Sequence, residues 1–119
     1  MNSFFEWKTV GKSKQPFAFS LVGGGIMGVT GLWETWRGAD GGEMRSFAVL
    51  TTEANQTVAV HDRMPVIVAE EDFEAWLRGG VEVANGLMVP YGGPMRSWAV
   101  NRAVNRVGVM EGPECLDEV

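Results

Sequence analysis

Glycine sets the first limit on this chain. Of its 119 residues, 16 carry no side chain, and several fall together, as in Gly23-Gly24-Gly25 and Gly79-Gly80. Glycine opens turns that other residues resist and weakens the interior of any helix or strand. A chain punctuated in this way folds as short elements joined by many turns. Apolar residues still make up 45%, too many for a disordered segment. The length suits a single small domain over residues 1–119, with one core and little stability to spare.

Alternation of apolar and polar residues predicts strands at 4–10 and 15–22. They are joined as a hairpin through the polar turn at Gly11-Lys12-Ser13-Lys14. Pro16 falls near the start of the second strand, where a missing donor is tolerated. Residues 26–36 read as a third strand and 37–43 as an exposed loop. Residues 45–52 read as a buried strand around Phe47-Ala48-Val49-Leu50. A short helical turn capped by Thr52 is expected over 53–59, a loop over 61–65 and a strand over 66–68. The clearest helix is 70–78: Phe73, Trp76 and Leu77 share one face, acids crowd its amino end, and Gly79-Gly80 stops it. Residues 81–94 read as loop, with strand edges at 98–100 and at the last residues around a turn at 101–106. The expected class is α+β, mostly antiparallel β with a few short helices.

Several function classes drop out. No apolar run is long enough to cross a bilayer, and Met1-Asn2-Ser3-Phe4-Phe5-Glu6 lacks the basic start of a signal peptide. Cys115 is the single cysteine; it forms no internal disulfide and fits a reducing cytoplasm. One Cys and one His do not make a Cys/His zinc site. Gly23-Gly24-Gly25-Ile26-Met27-Gly28 lacks dinucleotide-loop spacing and no serine elbow is present. Cys115 lies in an acidic tail after Pro113, a poor place for a nucleophile. The net charge of −5 argues against nucleic acid, but eight of the acids fall in two clusters, at 70–74 and 111–118. Without them 7 acidic residues face 10 basic ones, leaving room for a locally basic face.

Three features could carry chemistry. Alternation places Glu6 on the opposite strand face from Phe5 and Trp7. A carboxyl among aromatics loses water and suits proton transfer, although pattern alone favours a solvated acid. His61 lies in His61-Asp62-Arg63-Met64-Pro65, where an imidazole could shuttle protons and Arg63 could hold a phosphate. A local Asp62–Arg63 ion pair explains the same loop equally well. Trp7, Trp33, Trp36, Trp76 and Trp98 are heavy aromatic use: beside basic residues they stack unpaired bases, and otherwise they fill the core, as Trp76 is expected to do.

These segments together resemble the SOS response-associated peptidase family. The likeness runs through Phe4-Phe5-Glu6-Trp7, Lys14-Gln15-Pro16-Phe17 and Gly31-Leu32-Trp33-Glu34. It is most specific where Phe47-Ala48-Val49-Leu50-Thr51-Thr52-Glu53-Ala54-Asn55 leads into Val60-His61-Asp62-Arg63-Met64-Pro65-Val66-Ile67-Val68. The resemblance implies a barrel-like, mostly β fold of which this chain is a part, and a role in the DNA-damage response. It implies binding of single-stranded DNA, covalent linkage to abasic sites through an amino-terminal cysteine, and self-release from a leader peptide, with no cofactor. It implies Glu6 and His61 as the catalytic proton-transfer residues, expected to share one cleft, and Arg63 as a phosphate contact; Trp7 and Lys8 are further candidate DNA contacts, on the reading that exposed Trp7 or Trp33 stands beside Arg63 and Lys8.

Family members begin Met-Cys-Gly-Arg, whereas this chain begins Met1-Asn2-Ser3. The chain is therefore expected to be an amino-terminally truncated domain without the nucleophile, inactive alone. Alternatives are one half of a split protein, completed by a separate amino-terminal half, and a non-catalytic module that only binds single-stranded DNA.

Overall fold

The structure, a computed structural model, describes residues 1–119. Strand β1 (Phe4–Val10) turns back into β2 (Ser13–Leu21), pairing Val10 with Ser13 and Phe4 with Phe19. Gly11 takes φ +61° at the first loop position, which closes a two-residue hairpin without strain. The last strand of the chain, β9 (Met95–Ala99), pairs along the other edge of β2. In this sheet Phe4, Glu6 and Lys8 share a face with Phe17 and Phe19, while Phe5 and Trp7 share the other with Trp98. Phe4 stacks on Phe19 with ring centres 5.3 Å apart.

The expected third strand is two strands. β3 (Gly28–Val29) pairs with β8 (Ile67–Val68), and β4 (Gly31–Arg37) pairs with β5 (Glu43–Val49). The break falls at Thr30, which is tied into a three-way backbone junction. Thr30 N–H donates to the Val66 carbonyl, Leu50 N–H to the Thr30 carbonyl, and Val66 N–H to the Leu50 carbonyl. β6 (Thr51–Glu53) pairs with β7 (Arg63–Pro65), so the expected loop at 61–65 ends in a strand. No sheet closes into a barrel.

Two further readings need correction. Residues 53–59 form no helical turn, and Thr52 caps nothing. Asn55 organises the segment instead: its Oδ1 accepts from the N–H groups of Thr57 and Val58, and its Nδ2 donates to the Tyr91 carbonyl. Residues 81–94 are not all loop. A 3₁₀ turn at Glu70–Asp72 leads into α1 (Phe73–Arg78), and α2 (Gly80–Leu87) follows at once. Gly80 at φ +80° redirects the chain, and no Cβ fits at Gly79 between the Ala75 carbonyl and Val83. The glycine pair is a joint between helices rather than a stop.

The core is small. Phe19, Met27, Val58, Met64 and Ile67 form its buried cluster, with Phe4, Phe17, Leu21 and Met95 packed against it. It sits between the three-stranded sheet and the β7–β8 segment. Only 13 of 119 residues are buried. Phe47 was expected in a buried strand, yet it is 79% exposed, because nothing covers the β4–β5 hairpin. Trp76 is half-buried on the flank of α1 and takes no part in the core cluster. No helix is long and apolar enough to cross a membrane.

Candidate active site

The acid in the first strand is not an ordinary surface acid. Glu6 projects from the core-side face of the sheet, between Phe4 and Lys8 and opposite Phe17. Burial raises its carboxyl pKa above the ordinary value, the charge of His61 pulls it down, and that of Asp62 pushes it up. The dominance of desolvation leaves a carboxyl that holds its proton more readily than a free glutamate. The charge coupling places His61 within electrostatic reach of Glu6, although the two residues are far apart in sequence.

His61 is held by its own loop. Asn55 pins the preceding turn, and the His61 N–H donates to the Val58 carbonyl at 3.1 Å. The Arg63 N–H lies 3.1 Å from His61 Nδ1. In the neutral ring Nδ1 is the acceptor, so the proton sits on Nε2. In the cationic ring, Nδ1–H donates instead to the Arg63 carbonyl at 3.1 Å or to Asp62 Oδ1 at 3.2 Å. The cationic ring would give up the Arg63 N–H contact for an acceptor in the same loop, an exchange that suits a proton shuttle.

Arg63 opens β7 and reaches across to β6. Its Nη2 donates to the Thr51 carbonyl at 2.8 Å and to Thr51 Oγ1 at 3.1 Å, and Nε lies 3.3 Å from the same hydroxyl. The ion pair with Asp62, the bland reading of this loop, does not form; Asp62 pairs with His61. Arg63 is thus an oriented guanidinium whose Nη1 has no partner.

The other two candidates divide. Lys8 shares the face of Glu6, but Trp7 points to the opposite side of β1. There Trp7 Nε1 donates to Asn105 Oδ1 at 2.6 Å, and Asn105 Nδ2 donates to the Lys14 carbonyl. The Trp7 ring is 37% exposed, but it belongs to a separate surface from Glu6, Lys8 and His61. On that surface Arg96 stacks over Trp98 at 4.3 Å. Five concavities of the molecule are lined by residues other than Glu6 and His61. No three His, Cys, Asp or Glu side chains converge to hold a metal ion.

Sequence reasoning missed Asp62 as a charge acting on Glu6, Thr51 as the anchor of Arg63, and Asn105 as the partner of Trp7. The first two lie beside the motifs already singled out. The third rests on a contact spanning 98 residues, which no local pattern signals.

Comparison with known proteins supplies the family. Residues 1–107 match the model for SOS response associated peptidase (SRAP). The chain is 31% identical over 110 residues to abasic site processing protein YoqW of Bacillus subtilis, covering 87% of this chain and 49% of that protein. It is 32% identical over 126 residues to abasic site processing protein YedK of Escherichia coli, covering 99% of this chain and 55% of that protein. The chain thus spans about half the length of the curated relatives it matches. A crystal structure of a protein from Bacteroides thetaiotaomicron superposes with a TM-score of 0.86 at 21% identity, covering 99% of this chain and 54% of the other. One from Bordetella bronchiseptica gives 0.72 at 24% identity, over 84% and 52%. The two superpositions establish the α+β fold, and the sequence matches establish that this chain belongs to the SOS response-associated peptidase family.

Proposed function

We propose that this chain is the proton-transfer half of an abasic-site processing domain acting in the DNA-damage response on single-stranded DNA. The observation that carries the reading is a desolvated Glu6 carboxyl within the electrostatic influence of His61, whose loop also holds the oriented Arg63 guanidinium. The names of the relatives, abasic site processing proteins, support the substrate.

The chemistry would run as follows. The ring-opened sugar of an abasic site presents an aldehyde. A cysteine amine adds to its carbon, water leaves to give an imine, and the thiol then adds to that carbon, its proton passing to nitrogen. The product is a thiazolidine. Every step moves a proton near neutral pH, which a carboxyl and an imidazole supply. Arg63 and Lys8 would hold the flanking phosphates. The nucleophile would be another cysteine, because the nitrogen of Cys115 is a backbone amide that donates to the Gly112 carbonyl and has no free amine to condense. The strands would form part of the barrel that the family fold implies, and self-release from a leader would use the same proton-transfer pair.

The test uses the purified 119-residue chain with an abasic single-stranded oligonucleotide. Reversible retention that depends on Arg63 is expected, with no covalent adduct on a denaturing gel. An adduct formed by the chain alone would refute the external nucleophile. Equal retention by wild type and Arg63→Ala would remove the proposed phosphate contact.

A second reading, a binding module without chemistry, draws on the exposure of Trp7 and Trp33. It is the weaker one. Trp7 faces away from Lys8, and Trp33 lies on a different sheet from both Lys8 and Arg63.

A further inference from the structure

Asp62 has a basic neighbour on each side, His61 and Arg63. Arg63 is the natural partner, because a guanidinium is always charged and offers a planar fork that matches a carboxylate. The strand pair takes it away. Nη2 and Nε of Arg63 are held by the carbonyl and hydroxyl of Thr51 at 2.8 to 3.3 Å, and Arg63 enters no ion pair. The Asp62 carboxylate is left to the imidazole, with Oδ1 3.2 Å from His61 Nδ1.

The two ring nitrogens of His61 are unlike. Nδ1 is fastened to its own loop, whereas Nε2 has no hydrogen-bond partner in the chain. The neutral ring is fastened by accepting the Arg63 N–H at Nδ1. That contact cannot hold the cation, in which both nitrogens are donors. A cationic ring needs an acceptor at Nδ1, and two are in reach: the Arg63 carbonyl at 3.1 Å and Asp62 Oδ1 at 3.2 Å. The carboxylate is the better one, since a hydrogen bond between charged groups is roughly twice as strong as a neutral one.

The other charged groups on the neighbouring strands are Glu6 and Lys8 on the core-side face of β1, Arg63 on β7, and Glu53 opposite Arg63 on β6. None of them comes within ion-pair distance of the imidazole; Asp62 does. Asp62 also acts on Glu6. Burial is the main cause that raises the Glu6 pKa, the charge of His61 lowers it, and the charge of Asp62 adds to the rise. Asp62 is 90% exposed, so its ion pair adds little to stability. What it can govern is where a proton sits.

We infer that Asp62 is a positioning residue of the proton-transfer pair: it anchors the cationic His61 ring through Nδ1–H, which leaves Nε2 as the atom that passes the proton on. When the proton leaves Nε2, the ring remains as the Nδ1–H tautomer, still held by the same carboxylate. Asp62 itself takes up no proton. The inference rests on the reading above that Glu6 and His61 transfer protons, and it names the residue that orients one of them.

The test is nuclear magnetic resonance of the purified 119-residue chain. His61 is its single histidine, so the ring signals of a nitrogen-15 spectrum have one source. At about pH 5, between the ordinary carboxylate and imidazole ranges, an Nδ1–H signal protected from exchange with water is expected in wild type. It should be lost in Asp62→Ala. Persistence in Asp62→Ala would give the bond to the Arg63 carbonyl, and absence from wild type would mean no such bond exists; either result overturns the inference. Asp62→Asn keeps the shape and removes the charge. It should move the Glu6 carboxyl titration, followed by carbon-13 signals, to lower pH. An imidazole is ordinarily charged in that range, so the direct loss of the Asp62 charge sets the sign. An unmoved titration would also overturn the inference. Unchanged backbone amide spectra show that both variants remain folded. In an assembly that forms the adduct, Asp62→Asn should slow the reaction about 3-fold at neutral pH and leave retention of the oligonucleotide undiminished; an unchanged rate would count against the inference equally. The spectra involve no DNA, so failure of the proposed function and failure of this assignment give different results.

Discussion

Glu6 shows how one side chain joins fold to chemistry. Its alternation against Phe5 and Trp7 was legible in the sequence, and its desolvation depends on the sheet behind it. The pKa in the folded chain lies above that in the unfolded chain, so the folded state holds the proton more tightly. Stability from this group is then greatest at acid pH and falls as pH rises through the carboxylate range. Glu6→Gln should therefore gain in melting temperature over wild type as pH rises from about 3 to 7. A constant or shrinking gap across that range would contradict the burial argument. In an assembly that forms the adduct, the same change should slow the reaction about 100-fold or more. Asn55 acts by positioning the loop that carries His61. Its amide holds the turn before His61 against Tyr91, and Asn55→Ala, which leaves those backbone groups unpaired, should cost about 1–3 kcal/mol in denaturant unfolding.

Among the elements, the contrast lies between β2 and the β4–β5 hairpin. Both carry aromatics, and of the two the sequence reads only residues 45–52 as buried. Phe19 on β2 is fully covered, whereas Phe47 on β5 is open. Phe19→Ala should cost about 3–5 kcal/mol, and Phe47→Lys less than about 0.5 kcal/mol in the isolated chain. Comparable losses in urea titration would mean that the hairpin is covered in solution. The helical region carries the opposite lesson. Gly79 and Gly80 look like a terminator, but they serve as a joint between α1 and α2. A stop and a joint use the same glycine conformations, and only the packing of Val83 against Gly79 tells them apart.

For the whole molecule, the open surface predicts an extended particle. Small-angle scattering of the isolated chain should report a radius of gyration near 16.8 Å, and one near 13.5 Å would show collapse of the hairpin onto the body. The sequence by itself determined the α+β class, the β1–β2 hairpin and a helix ending at Arg78, because each rests on local periodicity, and it offered Glu6, His61 and Arg63 as candidates through the family resemblance. Tertiary structure alone decided that Thr30 splits a strand, that Thr51 orients Arg63, that Trp7 turns from Lys8 toward Asn105, and that Phe47 stays exposed. Those outcomes depend on which distant segments meet. Hydrophobic pattern reports that a face is to be buried, but not which layer of polypeptide buries it.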